Sequence, residues 1–202
     1  HNPFESSSVN PDSYSFEHYL EGNEGIAEPV TINMIGFLPT RHGVPLYGTR
    51  PLNGIDSLVI HYTGIDNDTI VENTAYWQVK ESPSLFPEIA YHEYHGQDGT
   101  VYICHPPEKL TWHCGAGSSH SLWDGDGEGK IGYWVGINNY KAIGLCFAGL
   151  YSTEAQLGSL KQRADYYDDL LGRKLQRLPH KIISKGKTQC PGNYESWWER
   201  IL

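Results

Sequence analysis

The sequence lacks a Cys-x-x-Cys pair, lacks an apolar run long enough to span a membrane, and has no surplus of positive charge. Each absence closes off a class of function. Lys and Arg number 15 against 24 Asp and Glu, a net charge of −9. Nucleic-acid binding rests on a basic surplus that neutralises phosphates, so no nucleic-acid partner is expected. A polybasic attraction to anionic lipid is excluded on the same ground. A spanning helix needs about 20 consecutive apolar residues, so membrane insertion is not expected either. No charged-then-apolar leader pattern stands at the N-terminus. The four cysteines, Cys104, Cys114, Cys146 and Cys190, are widely spaced. Four could form two disulfides in three connectivities, but the chain is not a small secreted scaffold, and the redox compartment is not fixed by this pattern.

What is present reads as a soluble globular protein. Apolar residues make up 39% of 202 positions and charged residues 19%, enough for one domain with a core plus an extension. Six Trp and fourteen Tyr make the chain rich in aromatics. Core filling accounts for most of them, and stacking on sugar rings in a groove is a second use.

Residues 1–50 differ from the rest. His1 to Ser15 is rich in Ser, Asn and Pro, as in a loose terminus. Residues 30–50 carry short apolar pieces broken by Pro39, Gly43, Pro45 and Gly48, which predicts an extended arm packing on a main domain at 51–202. In that domain Ser57–Tyr62 and Lys141–Ala148 read as buried strands. Tyr91–Tyr94 and Thr100–Cys104 read as strands around the turn Gln97-Asp98-Gly99. Helical spacing covers 69–80, with Thr69 or Asp68 as N-cap, and Thr153–Leu171, with Leu157, Leu160, Ala164, Tyr167 and Leu171 on one face. Leu178–Ile183 is a short strand or loop, and Tyr194–Leu202 a terminal helix, with Trp197-Trp198 anchoring it to the core. The expected fold is α/β: a single domain with a central mixed β-sheet flanked by helices, plus the N-terminal extension.

The chemistry-bearing residues are scattered. His61 ends a buried strand, a position that points into the cleft formed by strand ends. A structural histidine is the commoner fate of such a residue. His180 follows Leu178-Pro179, and Cys190 comes ten residues later in Thr188-Gln189-Cys190-Pro191-Gly192. A buried free thiol is the ordinary reading of Cys190. Yet two His and one Cys meet the ligand count of a catalytic zinc, which keeps a fourth position open.

Five segments, in order, carry a resemblance: Leu58–Gly64; Tyr91-His92 with Gln97–Tyr102; Trp112-His113-Cys114-Gly115; Asn139 with Ile143-Gly144; and Pro179-His180 with Thr188–Gly192. Together they resemble the type 2 N-acetylmuramoyl-L-alanine amidases, the family of T7 lysozyme and the peptidoglycan recognition proteins. The resemblance implies zinc-dependent hydrolysis of the amide between N-acetylmuramic acid and L-alanine in peptidoglycan, carried out at the cell wall, outside the cytoplasm. It places His61, His180 and Cys190 at the metal-ligand positions, and Tyr91 and Thr188 at catalytic ones. Trp112, His113, Asn139 and His92 fall in segments bordering the substrate groove. Some branches carry a general-base Glu in the strand that matches Ile143–Phe147. Here Cys146 stands there, so a tyrosine-assisted arrangement without a carboxylate base is expected. Lys187 takes the role of Thr188 if the alignment slips by one residue. The alternatives are a non-catalytic peptidoglycan-binding module, whose typical members lose the Cys ligand, and a zinc hydrolase of other amides.

Two further features have plainer readings. Asp124–Gly129 resembles the start of a calcium loop, but position 12 is Val135, where such a loop needs a bidentate Glu. The longer segment from Gly115 to Gly136 reads as a Gly-rich acidic loop beside the groove. His92, His95, His105 and His120 raise the histidine count, and ordinary strand or loop roles suffice for them.

Overall fold

The computed structural model describes residues 28–65, 70–83, 86–114, 139–184 and 188–202. Strands β1 (Thr31–Asn33), β2 (Ser57–Tyr62), β3 (Glu93–His95), β4 (Val101–Ile103), β5 (Ala142–Phe147) and β6 (Gln176–Pro179) form one sheet in the order β1-β4-β3-β5-β2-β6. The β3–β4 pair is antiparallel, and the other neighbours are parallel. This is the expected mixed α/β sheet. The N-terminal arm contributes β1, an exposed edge strand paired with β4.

The central strands β2 and β5 are buried on both faces, and side-chain alternation divides them cleanly. Leu58, Ile60, Ile143, Leu145 and Phe147 point to one face. There they meet Leu157, Leu160, Ala164 and Tyr167 of helix α2 (Glu154–Leu171), the apolar face expected from the spacing. Thr153 caps that helix: its hydroxyl accepts from the Gln156 amide at 3.1 Å, and the Gln156 side chain accepts from the Thr153 amide at 2.9 Å. Gly172 ends it in the left-handed conformation, φ +63°.

The same face buries a charged cluster. The Glu93 carboxylate accepts from Arg163 Nε at 3.0 Å, from Arg163 Nη2 at 2.6 Å and from the Tyr167 hydroxyl at 2.6 Å. Burial alone would raise the Glu93 carboxyl. The Arg163 guanidinium and the hydrogen bonds around it outweigh that and hold it at about 2.

The opposite face carries Val59, Tyr94, Ala142 and Cys146, covered by helices α1 (Val71–Tyr76) and α3 (His180–Ile183). Helix α1 is shorter than the 69–80 expected. It starts at Val71, behind Ile70, which offers no side-chain cap, and Thr69 and Asp68 lie outside the described residues. Past Tyr76 the chain widens into a π-turn at Trp77–Glu81, where the Ser82 amide donates to the Trp77 carbonyl five residues back.

The terminal segment corrects the expected helix. It forms two 3-10 turns, Tyr194–Ser196 and Trp198–Arg200, broken at Trp197. Nine residues nucleate an α-helix poorly. The contacts that fix them are tertiary: Trp197 and Ile201 both enter the core, and Trp197 meets Phe147 edge-on at 5.9 Å. All four cysteines are buried and unpaired. The acidic Gly-rich segment Asp124–Gly129 and His120 lie outside the described residues.

Candidate metal centre

Strand alternation sends His61 away from α2, to the same face as Val59. Its neighbour β6 runs parallel, with Pro179 opposite Ile60, and this sets His180 beside His61 with ring centroids 4.6 Å apart. The loop before the terminal turns brings Cys190 to the pair. The Lys181 amide donates to the Cys190 carbonyl, and the Cys190 amide donates to the Thr188 hydroxyl at 3.1 Å. The Cys190 sulfur accepts from the Tyr62 amide at 3.4 Å and lies 3.6 Å from His61 Nδ1. The donor atoms of His61, His180 and Cys190 all lie within 4.8 Å of one another, the one such group of three among the described residues.

These donors suit zinc. An imidazole nitrogen and a thiolate bound tetrahedrally at ordinary zinc distances stand about 3.6 Å apart, and His61 Nδ1 and Cys190 Sγ are 3.6 Å apart. The electrostatics agree. Burial, then the neighbouring His180, His113 and His92, hold His61 well below its usual value, so its ring is neutral. Burial pushes the Cys190 thiol up to about 12, against the Tyr62 amide. The neutral His61 ring and the protonated Cys190 thiol thus converge with His180, and among the described residues the group holds no carboxylate. A cation would supply the missing charge and displace the thiol proton.

Tyr91 lies just before β3, its ring 5.2 Å from that of His61. Burial, then the nearby Cys146 and Cys190 sulfurs, raises its hydroxyl well above the usual range, so it remains a proton-bearing donor. The Cys146 thiol is one of the groups nearest to that hydroxyl. Thr188 is half-buried, and its hydroxyl oxygen is held by the Cys190 amide. Lys187 lies outside the described residues.

The four expected groove residues are placed differently from one another. Trp112 is half exposed, its ring 5.4 Å from Tyr47. His113 is buried against the ligand group, with Nδ1 3.0 Å from His61 Nε2. His92 is fully buried, its Nδ1 accepting from the Gly144 amide at 3.0 Å and its Nε2 donating to the Lys109 carbonyl at 2.9 Å. Asn139 is buried too, its side-chain oxygen accepting from the Cys114 amide at 2.9 Å. The structure therefore gathers His61, His180, Cys190, Tyr91, Thr188 and His113, leaves Trp112 at the surface, and encloses His92 and Asn139.

Arg50 escapes sequence reasoning. Its guanidinium donates to the carbonyls of Asn139, Ala142 and Pro107 and ties the strand β5 entrance to the preceding loop. A lone Arg in a Pro/Gly-rich stretch carries no signal of such a role. Gly144 did carry one, since glycine within a buried strand marks close approach by another group.

No curated protein matches the chain. Solved structures do, at identities that show a shared fold. One is the endolysin N-acetylmuramoyl-L-alanine amidase LysCS from Clostridium intestinale URNW, at 22% identity and TM-score 0.55, over 84% of this chain and 91% of that one. Another is the Ph2119 endolysin from the Thermus scotoductus MAT2119 bacteriophage Ph2119, at 18% and 0.58, over 85% and 98%. A third is the Drosophila peptidoglycan recognition protein SD, at 18% and 0.57, over 82% and 89%. The family model for N-acetylmuramoyl-L-alanine amidase matches residues 50–193, a span that takes in every ligand candidate and all strands but the edge strand β1. The chain belongs to the N-acetylmuramoyl-L-alanine amidase family.

Proposed function

We propose that this chain hydrolyses the amide between N-acetylmuramic acid and L-alanine in peptidoglycan, with zinc held by His61, His180 and Cys190. The observation that carries this reading is the convergence of those donors within 4.8 Å beside the Tyr91 ring. Bound there, zinc would lower the pKa of a water to about 7 and polarise the scissile carbonyl. The chain's own groups do the rest. The Tyr91 hydroxyl, kept protonated by burial, donates to the carbonyl oxygen as negative charge develops on it. The Thr188 oxygen accepts from the Cys190 amide, so its own proton is available to orient the attacking water or the substrate. Burial holds the Cys146 thiol well above its usual range. It is therefore no general base, and the site works without a carboxylate at that position. The half-exposed Trp112 offers an apolar face to a sugar or peptide.

Peptidoglycan is then the partner, and the place of action is the cell wall, outside the cytoplasm. Two of the similar structures bear the name endolysin, which suits that setting. No described helix is long and apolar enough to cross a membrane.

The test measures zinc content and lysis of purified cell wall for the parent chain, Cys190→Ala and Tyr91→Phe. Cys190→Ala should lose both metal and lysis. Tyr91→Phe should keep the metal and lose about 10²–10³-fold in rate, the usual cost of one oxyanion donor. Lysis that survives chelation and both substitutions overturns the mechanism. The likeness to a recognition protein favours a second reading, binding without cleavage. Mass spectrometry separates the two, because cleavage of this amide leaves a free L-alanine amino terminus. A new amino group elsewhere would point to a hydrolase of other amides.

A further inference from the structure

His61 has two ring nitrogens, and a metal requires one of them bare. Which one is bare can be worked out from the far end of a short chain of contacts. The Ala142 carbonyl carries no proton, and His113 Nε2 lies 3.0 Å from it. The Nε2 of His113 must therefore carry the hydrogen. A neutral imidazole has only one ring proton, and a second is disfavoured on a buried ring that shares the Ala142 carbonyl with the Arg50 guanidinium. His113 Nδ1 is then an acceptor. It stands 3.0 Å from His61 Nε2, which must donate to it. The proton of His61 is thereby held at Nε2, and Nδ1 is bare. Nδ1 is the atom that faces the Cys190 sulfur at 3.6 Å.

We infer that His113 is a positioning residue that locks His61 in the tautomer able to bind the metal, through the relay from His61 Nε2–H to His113 Nδ1 and from His113 Nε2–H to the Ala142 carbonyl. This rests on the reading of His61 as a ligand. It gives His113 a role on the ligand rather than on the substrate. Metal-bound histidines usually donate the second N–H to a carboxylate or a backbone carbonyl. Here a second imidazole is inserted between ligand and carbonyl, and the relay adds no negative charge to the site.

The backbone builds a seat for that imidazole. A Cβ on Gly144 would lie 2.6 Å from His113 Cγ and 2.7 Å from Nδ1, so only glycine lets the ring reach the sheet. The bond from the Cys114 amide to Asn139, at 2.9 Å, pins the segment that carries His113. The Ala142 carbonyl also accepts from Arg50 Nη1 at 2.6 Å, which fixes the acceptor itself. The His61 and His113 rings meet edge-on, 85° apart.

Two readouts test the relay on the full chain. The first is long-range proton–nitrogen correlation NMR of the ¹⁵N-labelled, metal-free protein. His61 and His113 should both be protonated at Nε2 and bare at Nδ1. Protonation of His61 at Nδ1 overturns the proposal, with no variant or activity involved. The second is the zinc dissociation constant, measured by competition with a chromogenic chelator. His113→Phe keeps the ring volume but cannot accept, and should bind zinc about 10–100-fold more weakly. His113→Asn sets its side-chain oxygen close to the place of Nδ1, and should stay within about threefold of the parent. Unchanged affinity in His113→Phe, or equal weakening in both variants, overturns the relay. If the parent chain binds no zinc, the metal reading fails, and the NMR result still decides the tautomer. If His113→Phe does not fold, the parent spectrum and His113→Asn decide.

Discussion

The face of the sheet under α2 buries a charged pair, whereas the opposite face buries neutral donors. Under α2, Glu93 and Arg163 are enclosed together, and the Tyr167 hydroxyl completes the carboxylate. Their charges cancel locally, and the cluster asks for nothing from outside. Across the sheet, His61 and His113 are held neutral by burial, Cys190 keeps its proton, and the lone pairs of the ligand group converge. A cation would complete that face. The two faces belong to the same sheet: Glu93 and Tyr94 are consecutive residues of β3, one pointing to each side. Buried polarity alone therefore does not mark a site. Buried polarity whose charges are mutually satisfied marks a structural tie, and buried neutral donors that converge mark a place for an ion.

The largest expected effect would break this contrast if it fell on the wrong face. Arg163→Met leaves the Glu93 carboxylate buried without its countercharge, and removing one partner of such a pair costs about 3–5 kcal/mol. Urea unfolding should show that loss. Zinc affinity of the folded fraction should not change. The double variant Glu93→Gln with Arg163→Met should recover much of the stability, since no charge is then left stranded and the Gln oxygen still accepts from Tyr167. Lost zinc binding in folded Arg163→Met would show the two faces to be one coupled unit.

The acid limb comes next in size. A carboxyl held at about 2 instead of its ordinary value near 4.5 contributes on the order of 3 kcal/mol at neutral pH. The sign follows from the depressed value. The contribution is fully present above the unfolded carboxyl's range, near pH 4.5, and is lost as pH falls towards about 2. Denaturant midpoints of the metal-free chain between pH 5 and pH 2 should trace this loss, and Arg163→Met should flatten it, because its Glu93 no longer has a depressed value to lose.

The two faces were not equally legible in the sequence. The α2 face follows from simple periodicity: Leu58 and Ile60 alternate in β2, and Leu157, Leu160, Ala164 and Tyr167 recur at helical spacing. Its ion pair did not follow, because Glu93 and Arg163 are 70 residues apart and neither sits in a motif. On the other face, spacing said little about His61, His180 and Cys190; five motifs in family order brought them forward. The relay through His113 was beyond reach, since it depends on which nitrogen faces which neighbour. Strand β1 was hidden for another reason: three exposed residues have no buried face to impose a pattern. The terminal turns read as a helix in sequence, whereas the short segment is shaped by where Trp197 and Ile201 enter the core, not by local propensity.

The smallest expected effect sharpens the contrast most, because it disturbs α2 without emptying a core position. The Thr153 hydroxyl accepts from the Gln156 amide at 3.1 Å and donates to the Gln97 carbonyl at 2.7 Å, tying the start of α2 to the β3–β4 turn. Thr153→Ala removes both bonds, and loss of such a cap costs about 1 kcal/mol, up to about 2. Thr153→Ser restores the hydroxyl and should restore most of that stability. The Gln156 side chain keeps its bonds to the His95 and Ala148 carbonyls, so fraying should stop within the first turn and leave Arg163 in place on Glu93. Zinc affinity should be the same in all three proteins. A tenfold weaker zinc site in Thr153→Ala alone would mean that the end of α2 reaches through the sheet to His61, and the separation of the two faces would not hold.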